Sequence, residues 1–250
     1  MKYKELLQKA GTQVRAYLSE PLAISRRELM TYFYTPVAYI VITAFLIITG
    51  VFFFMKFFYY NQAEMREFFQ FLPLILTLIV PAITMRLFAE EIHSGTIETL
   101  MTLPVTTLKM VVGKFLAATA FIVIMLSPTL IYLVTIIIVG SPDPGPLVTG
   151  YLGAILLAGA YASVGLLTSS LGRNQIVAFI LGLLACFMLW LVDKILIFLP
   201  NRLGFLEYFG TDFHFRNIAR GIIDSRDIIY FLSIIIISIL VTAKILDDRR

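Results

Sequence analysis

The sequence is poor in charged residues and has almost no cysteine. Only 14% of its 250 residues are charged, whereas soluble domains carry roughly 25%. The single cysteine, Cys186, excludes an intrachain disulfide and a cysteine-rich metal site. Hydrophobic residues make up 59% of the chain and the mean hydropathy is +0.90. A soluble core of this size cannot hide so much apolar surface, so lipid must solvate much of the chain.

Motifs of catalysis and nucleotide binding are also missing. The sequence contains no GxxxxGK[ST] loop, no HExxH and no GxSxG. Glu90, Glu91 and His93 have i, i+1, i+3 spacing, which does not place all three on one helical face. The other histidine, His214, falls on the opposite side of the predicted membrane. We therefore predict a chain that is not an enzyme and holds no metal or cofactor of its own.

Six apolar stretches are long enough to cross a bilayer. The predicted spans are Val37–Met55, Phe68–Phe88, Phe115–Val139, Leu147–Leu171, Ile176–Leu199 and Ile228–Leu246. Apart from Arg86 and Lys244 at the inner ends of their spans, the charged residues inside them are Asp193 and Lys194, which we interpret as an interfacial pair beside Trp190. Because intramembrane charges mark ion and proton paths, their scarcity argues against an ion-coupled carrier or a channel with a charged filter.

Lysine and arginine predict the orientation of these spans, since cytoplasmic loops are enriched in both. With the N- and C-termini cytoplasmic, 13 of the 20 basic residues lie inside. They are Lys2, Lys4, Lys9, Arg15, Arg26, Arg27, Arg86, Lys109, Lys114, Arg173, Lys244, Arg249 and Arg250. The outer excess comes from the segment before the last span. Because the basic residues lie beside apolar spans, the net charge of +4 indicates membrane orientation rather than nucleic-acid binding.

Residues 1–36 predict an amphipathic, cytoplasmic elbow on the inner leaflet. Leu6, Leu7, Ala10, Val14 and their neighbours recur at helical spacing, and Pro21 is expected to end that helix. Ser25 to Glu28 then has the form of a capping box that starts a second helix. This helix carries Tyr32 and Phe33 opposite Arg26 and Arg27. Thr35-Pro36 is expected to begin the first span.

Two further patterns are structural. Pro73 and Pro81 are expected to break or kink the second span. The small residues Gly150, Ala154, Ala158 and Ala162 predict close helix packing in the fourth span, either within the bundle or at a dimer contact.

The segment before the last span, Asn201 to Asp227, is too polar for a span and too aromatic for a plain loop. Thr211 or Asp212 could cap a short helix with Phe215, Ile218 and Ile222 on one face. We expect this outer segment to insert partly into the outer leaflet.

The inner loop after the second span predicts a second short helix. Gly95 permits a left-handed turn, and Thr96 can cap a helix with Glu98 in its first turn. Ile97, Leu100 and Met101 form its apolar face, and Pro104 ends it. Such a helix suits docking by a cytoplasmic partner, although the apolar face could equally pack under the bundle.

These residues resemble a known family. Phe88-Ala-Glu-Glu-Ile-His-Ser-Gly-Thr-Ile-Glu-Thr-Leu-Met-Thr-Leu-Pro-Val, followed by Gly113-Lys114-Phe115, is similar to the inner loop of ABC-2 type permeases. Arg27-Glu28-Leu29 with Tyr32-Phe33, and His214-Phe215 with the segment 220–231, resemble the same family before its first and last spans. The branch it most resembles is the gliding-motility (Gld-type) permease group, alongside permeases of copper-enzyme maturation.

The resemblance implies a six-helix permease in a bacterial inner membrane. It implies a dimer with a second permease copy or a related membrane subunit, driven by two cytoplasmic ATPases that hold ATP and Mg. It also implies a bulky or amphipathic substrate, membrane lipids as neighbours, and an auxiliary membrane subunit with a large external domain. The coupling residues would be Glu90, Glu91, Gly95, Thr96, Ile97, Glu98, Leu100, Met101, Pro104 and Val105.

The same resemblance implies an outer gate around Asn201–Asp224, for which the candidates are Phe213, Phe215, Ile218 and Ile222. The elbow candidates are Arg26, Arg27, Glu28, Tyr32 and Phe33. We expect a single domain, 1–250, made of the elbow (1–36), the six-helix bundle (37–246), the coupling loop (86–114) and an outer re-entrant segment (200–227). The alternative function is a membrane scaffold that holds an ATPase or motility complex without moving a substrate.

Overall fold

The computed structural model describes residues 20–60, 64–101, 105–140, 142–195 and 207–249. For residues 56–60 and 99–101 it describes the backbone only. Predictions for residues 1–19, for Pro104 and for the outer segment up to residue 206 lie outside these ranges. Within them the secondary structure is entirely helical.

The helices follow one another with short connections. After α1, which covers residues 20–34, they are α2 (Pro36–Tyr60), α3 (Arg66–Thr84), α4 (Arg86–His93), α5 (Thr96–Met101), α6 (Thr107–Leu126), α7 (Leu130–Val139), α8 (Pro144–Leu171), α9 (Gln175–Ile195), α10 (Thr211–Ala219) and α11 (Ser225–Asp247). A 3-10 turn, Ser127–Thr129, joins α6 to α7. The all-α prediction is confirmed for the described residues.

Six stretches of these helices are long and apolar enough to cross a membrane. They are Pro36–Met55, Arg66–His93, Thr107–Val139, Pro144–Leu171, Gln175–Ile195 and Ser225–Asp247. Each contains or largely overlaps one predicted span, so the six-span prediction is confirmed. The helices differ mainly in length: the second and third spans reach further into the predicted inner loop. The predicted end of the fifth span, Leu199, lies outside the described residues.

The antiparallel spans give the bundle two faces. The terminal face holds α1, the connections α4–α5–α6 and α8–α9, and the end of α11. The opposite face holds the connections α2–α3 and α7–α8, together with α10. At the terminal face, Thr107 at the start of α6 donates a hydrogen bond to Asp247 at the end of α11. That contact joins the third and sixth spans.

Helix α8 is the core of the bundle. In its most apolar stretch 78% of the residues are buried, against 17% in α9. Its small residues allow this burial because neighbouring side chains occupy the space a Cβ would need. A Cβ on Gly150 would lie 2.5 Å from the ring of Phe69, and one on Gly165 would lie 2.0 Å from Thr84 Oγ1. Of the two predicted roles for these residues, the structure shows packing within the bundle.

Two local predictions are confirmed and others need correction. Pro36 begins α2, and Gly95 has a left-handed backbone with φ of 73°. The predicted capping box at Ser25 is wrong, because helix α1 is continuous over residues 20–34 and Ser25 lies inside it. Helix α3 continues through Pro73 and Pro81, so neither proline breaks it, and the interruption of the second span falls at Met85.

Candidate functional site

The short helix α5 stands at the terminal face between two spans. Gly95 supplies the turn before it, and Ser94 Oγ lies 2.8 Å from Thr96 Oγ1 at its first residue. Thr96 therefore directs its hydroxyl back toward the turn. Glu98 lies in the first turn, as predicted, and its side chain is exposed. The result is a compact, solvent-accessible helix at the tip of the second span.

The residues predicted for docking fall into two groups. Glu90, Gly95, Thr96 and Glu98 are exposed, whereas Ile97 and Val105 are half-buried and Ile97 packs against the core. Glu91 points inward. The side chains of Leu100 and Met101 and all of Pro104 lie outside the described residues.

Below α5, a buried ion cluster ties three helices together. Lys114 of α6 has a side chain only 1% exposed, and its Nζ lies 2.6 Å from Glu91 Oε1 of α4 and 3.6 Å from Glu28 Oε1 of α1. The same ammonium donates to the Leu87 carbonyl at 2.6 Å. We call Glu28, Glu91 and Lys114 the terminal cluster. The charge of Lys114 is tolerated in this buried position because it is paired with both carboxylates.

Helix α1 is held on α6 by packing as well as by charge. A Cβ on Gly113 would lie 2.8 Å from Ile24 Cγ2 and 2.9 Å from the Pro21 carbonyl, so only glycine permits this approach. Tyr32 is buried and its hydroxyl donates to the Ile83 carbonyl at 2.9 Å. Burial raises the pKa of Tyr32, so the phenol stays protonated and remains a donor.

The remaining elbow candidates have different surroundings. Arg26 and Arg27 are exposed, and Arg27 pairs with Glu28 at 3.1 Å. The ring of Phe33 is half-buried and packs 5.6 Å from that of Phe121, centroid to centroid. Thus α1 presents its basic side outward and its aromatic side to the bundle, as its sequence pattern predicts.

A serine from α8 stabilises the break between α3 and α4. The hydroxyl of Ser169 accepts hydrogen bonds from the Phe88 and Ala89 amides at 3.0 and 3.1 Å and donates to the Met85 carbonyl at 2.8 Å. These amides lie in the first turn of α4, where a helix has free N–H groups. No local sequence signal identifies Ser169, because it lies 80 to 84 residues from its partners.

At the opposite face a second ion cluster joins α9 to α10. Lys194 Nζ lies 2.6 Å from Asp212 Oδ2, and Arg216 lies 2.6 Å from Asp193 Oδ2 and 3.1 Å from Asp212 Oδ2. We call these four residues the opposite cluster. Asp193 and Lys194 are 3.6 Å apart, so each has its shorter contact with α10. Lys194 also lies over the ring of Trp190, 4.8 Å from its centroid, consistent with the predicted interfacial position.

Next to this cluster, His214 fixes α10 to the start of α11. Its Nδ1 lies 2.5 Å from Asp227 Oδ1 and its Nε2 lies 2.9 Å from the Tyr208 carbonyl. Both ring nitrogens of His214 face oxygen atoms. Each of these two contacts needs one hydrogen to be a hydrogen bond. The imidazole stacks on the ring of Tyr230, whose hydroxyl donates to the Phe209 carbonyl at 2.6 Å.

The four candidate gate residues do not share one environment. Phe215 and Ile218 are buried, and Ile218 Cγ2 sits 3.0 Å from where a Cβ on Gly153 would lie. Phe213 is half-buried against Tyr208, and Ile222 is 60% exposed and lies beyond the end of α10. The prediction that all of Phe215, Ile218 and Ile222 lie on one face of a helix is therefore wrong for Ile222.

The predicted cap of α10 also needs correction. Its N-cap is Gly210, without a side-chain cap bond. Thr211 instead pairs with Tyr161 of α8 at 2.8 Å, and Asp212 belongs to the opposite cluster. Both predicted capping side chains are used to attach α10 to the bundle.

The chemistry available to these clusters is binding and positioning. Within the described residues, no group of three His, Cys, Asp or Glu side chains could hold a metal ion. The two clusters connect helices and place α5 and α10 at opposite faces of the same bundle.

Comparison with known proteins adds the family. Residues 52–207 match the family described as ABC-2 family transporter protein. The chain belongs to the ABC-2 transporter family. The match runs from α2 through α9 and includes α5. An ABC-2 permease is a membrane component rather than the ATPase, and the family works with an ABC ATPase subunit. No curated protein matches the chain.

Proposed function

We propose that this ABC-2 family protein couples ATP hydrolysis by a partner ATPase to the movement of a bulky or amphipathic substrate across the membrane. The observation that carries the proposal is the placement of α5. It is a short helix with exposed Glu98, and it projects from the terminal face just beyond the second span. Helix α5 packs on α4, which contributes Glu91 to the terminal cluster. A displacement of α5 would therefore act on α4, α6 and α1 together.

The terminal face is the cytoplasmic one in this proposal. Among the described residues it carries Arg26, Arg27, Arg86, Lys109, Lys114, Arg173, Lys244 and Arg249. Of the basic residues on the opposite face, Lys194 and Arg216 are paired with buried aspartates. The distribution of basic residues then favours both termini inside a bacterial inner membrane. Residues 1–36 serve as the elbow, 86–114 as the coupling loop and 200–227 as the re-entrant segment.

The assembly we propose follows from the family resemblance. Two ATPases, carrying ATP and Mg, would bind a dimer made with a second permease copy or a related membrane subunit. The family branch that the sequence most resembles is the gliding-motility group, in which an auxiliary subunit with a large external domain can take part. Phe213, Phe215, Ile218 and Ile222 would control the outer side.

Removal of α5 tests the docking proposal. A chain that lacks Gly95–Leu103 should still insert into the membrane. The deletion removes the packing of α5 on α4 but leaves the contacts among the spans in place. Binding of the partner ATPase, measured by co-purification, should fall to background. If the ATPase still binds and its turnover still responds to the permease, α5 is not the docking element.

A finer version changes one backbone position. Gly95→Val places a branched side chain at φ of 73° and should cost about 1–2 kcal/mol locally. A Cβ there meets nothing within 4 Å, so the effect is confined to the turn. The matched control is Gly140→Val, since Gly140 has φ of −142°, which any residue adopts. ATPase coupling should weaken in the first variant only.

Reconstitution separates transport from scaffolding. Liposomes containing the permease and its ATPase should show ATP-dependent movement of a lipid or solute. A complex that binds and hydrolyses ATP but moves none would support the scaffold instead.

A further inference from the structure

A cavity opens at the opposite face between the beginnings of α3 and α8 and the helix α10. Its volume is about 670 Å³. This lies within the range of about 300–1,000 Å³ found for small-molecule sites. The cavity shares Arg216 with the opposite cluster but is otherwise built from different residues. Neither the family match nor the proposed docking at the terminal face assigns it a role.

The floor of the cavity is apolar and fixed. Phe69 and Phe215 are 3% and 0% exposed, and Leu147 is 7% exposed. The ring centroids of Phe69 and Phe215 are 6.5 Å apart. These side chains belong to three different helices that pack on one another. An apolar part of a ligand would therefore meet a preformed surface.

The rim is charged. Arg66, Arg220 and Glu64 line the cavity, are exposed, and form no ion pair with any residue in the described part of the chain. Arg216 is already paired with Asp193 and Asp212. Asp143, also on the rim, accepts from the Gly145 amide with one oxygen at 3.0 Å. Two arginines and at least one free carboxylate thus face a common opening.

Backbone geometry keeps the charges at the rim. Arg66 is the first residue of α3, and Phe69 lies one turn further into the span. Arg220 ends α10, and Gly221 follows it with φ of 93° and packs against Pro146 of α8. The charged groups therefore lie at the ends of α3 and α10, and the apolar floor lies further along the bundle. This order matches an amphiphile with its headgroup at the surface.

We propose that this cavity binds a zwitterionic phospholipid, with Arg66 and Arg220 on the phosphate and Glu64 on the ammonium group. Arginine suits phosphate because its planar guanidinium donates two parallel hydrogen bonds. The balance of unpaired charge on the rim favours a headgroup that carries both signs over a purely anionic one. The acyl chain would leave across Phe69 and Leu147 toward the bilayer.

The test measures lipid binding to the purified full chain in detergent, without an ATPase. Phosphatidylethanolamine labelled on its acyl chain would be titrated and followed by fluorescence anisotropy. Arg66→Gln and Arg220→Gln should each raise the dissociation constant roughly tenfold, as expected for the loss of charge-assisted hydrogen bonds. The control is Arg226→Gln, which removes an exposed arginine of the same face that does not line the cavity.

Two further arms identify the chemistry. Glu64→Gln should reduce the preference for phosphatidylethanolamine over phosphatidylglycerol by up to about fivefold. Inorganic phosphate alone should not displace the lipid, because it makes no contact with the apolar floor. If inorganic phosphate did displace the labelled lipid, the cavity would be a site for free phosphate and the lipid proposal would be wrong.

The proposal would be overturned if the Arg66→Gln/Arg220→Gln double variant bound the lipid as tightly as the unsubstituted protein. It would also be overturned if Arg226→Gln lost as much affinity as the cavity variants. Both arginines are exposed, so their substitution should leave the fold intact, and size-exclusion profiles check this. No ATPase is present in this assay, so a failure of lipid binding does not affect the proposal that α5 docks the ATPase. A failure of ATPase docking would likewise not affect the lipid proposal.

Discussion

The two ion clusters bury opposite partners. In the terminal cluster the cation is hidden, with Lys114 1% exposed, while the side chains of Glu28 and Glu91 are 14% and 18% exposed. In the opposite cluster the acids are hidden, with Asp193 and Asp212 1% and 3% exposed, while Lys194 and Arg216 are 30% and 41% exposed. Each cluster therefore hides one sign of charge almost completely and leaves the other partly exposed, but Glu91 of the terminal cluster has one oxygen, Oε2, that is itself buried.

This difference determines which substitution is tolerated. A charge that loses its partner but can rotate into water loses one interaction, whereas one that remains enclosed also bears the cost of desolvation. The terminal cluster depends on a single cation that three groups share. In the opposite cluster two cations share two acids, so each acid removed still leaves the cations one acceptor.

The largest effect should come from Lys114→Met. The substitution leaves Glu91 and the Leu87 carbonyl without their donor, and breaking a buried pair in this way costs about 3–5 kcal/mol. Chemical denaturation in mixed micelles measures the loss. The double variant Lys114→Met/Glu91→Met should recover part of it, because no lone charge then stays buried. A double variant as unstable as the single one would show that packing, and not charge, dominates.

The matched control for Lys114 is Lys244→Met. Lys244 pairs with Asp248 at 3.1 Å, but both side chains are mostly exposed, at 76% and 63%. Such surface pairs contribute less than about 1 kcal/mol. A comparable loss in both lysine variants would contradict the role of burial.

A smaller effect is expected from Asp212→Asn at the opposite face. The amide keeps the shape but removes the charge that Lys194 and Arg216 share, which should cost about 1.5–3 kcal/mol. Both cations can turn to water or to Asp193. The same denaturation assay checks this, with Asp248→Asn as the exposed control. A loss larger than that of Lys114→Met would reverse the comparison.

The smallest of the three effects should come from Gly113→Ala, which changes packing without changing charge. The added methyl group would lie 2.8 Å from Ile24 and 2.9 Å from the Pro21 carbonyl, so α1 must shift, at a cost of about 1–3 kcal/mol. Gly159→Ala is the control, because its new Cβ would meet the end of Ile235 at 3.3 Å and the ring of Phe115 at 3.8 Å, and no backbone atom. We expect Gly113→Ala to lower ATPase stimulation as well. Unchanged stimulation would show that α1 does not take part in coupling.

Periodicity and local turn chemistry were sufficient to predict the spans and several boundaries. Long apolar runs need no partner to be recognised, and Pro36 and Gly95 act through their own backbone. The capping box at Ser25 failed because a local cap competes with continuation of the helix, and α1 is stabilised by Tyr32 and Gly113 contacts that the local sequence does not reveal.

The clusters could not be predicted, since they depend on which helices become neighbours. Lys114 and Glu91 are 23 residues apart, and His214 and Asp227 are 13 apart across a turn. Charged side chains are exposed to water in most cases. This expectation fails where a tertiary contact supplies a counter-ion. Asp193 and Lys194 were predicted to pair with each other, but α10 offers both of them shorter contacts.

The interruption at Met85 is a joint between α3 and α4 within the second span, and Met85 itself keeps helical backbone angles there. Ser169 bonds both sides of this joint through a hydroxyl that can rotate, so it can follow a change of angle. Helix α4 has 8 residues, and at about 1.5 Å per residue it forms a lever about 12 Å long. A change of about 10° in the angle between α3 and α4 would therefore move the far end of α4 by about 2 Å.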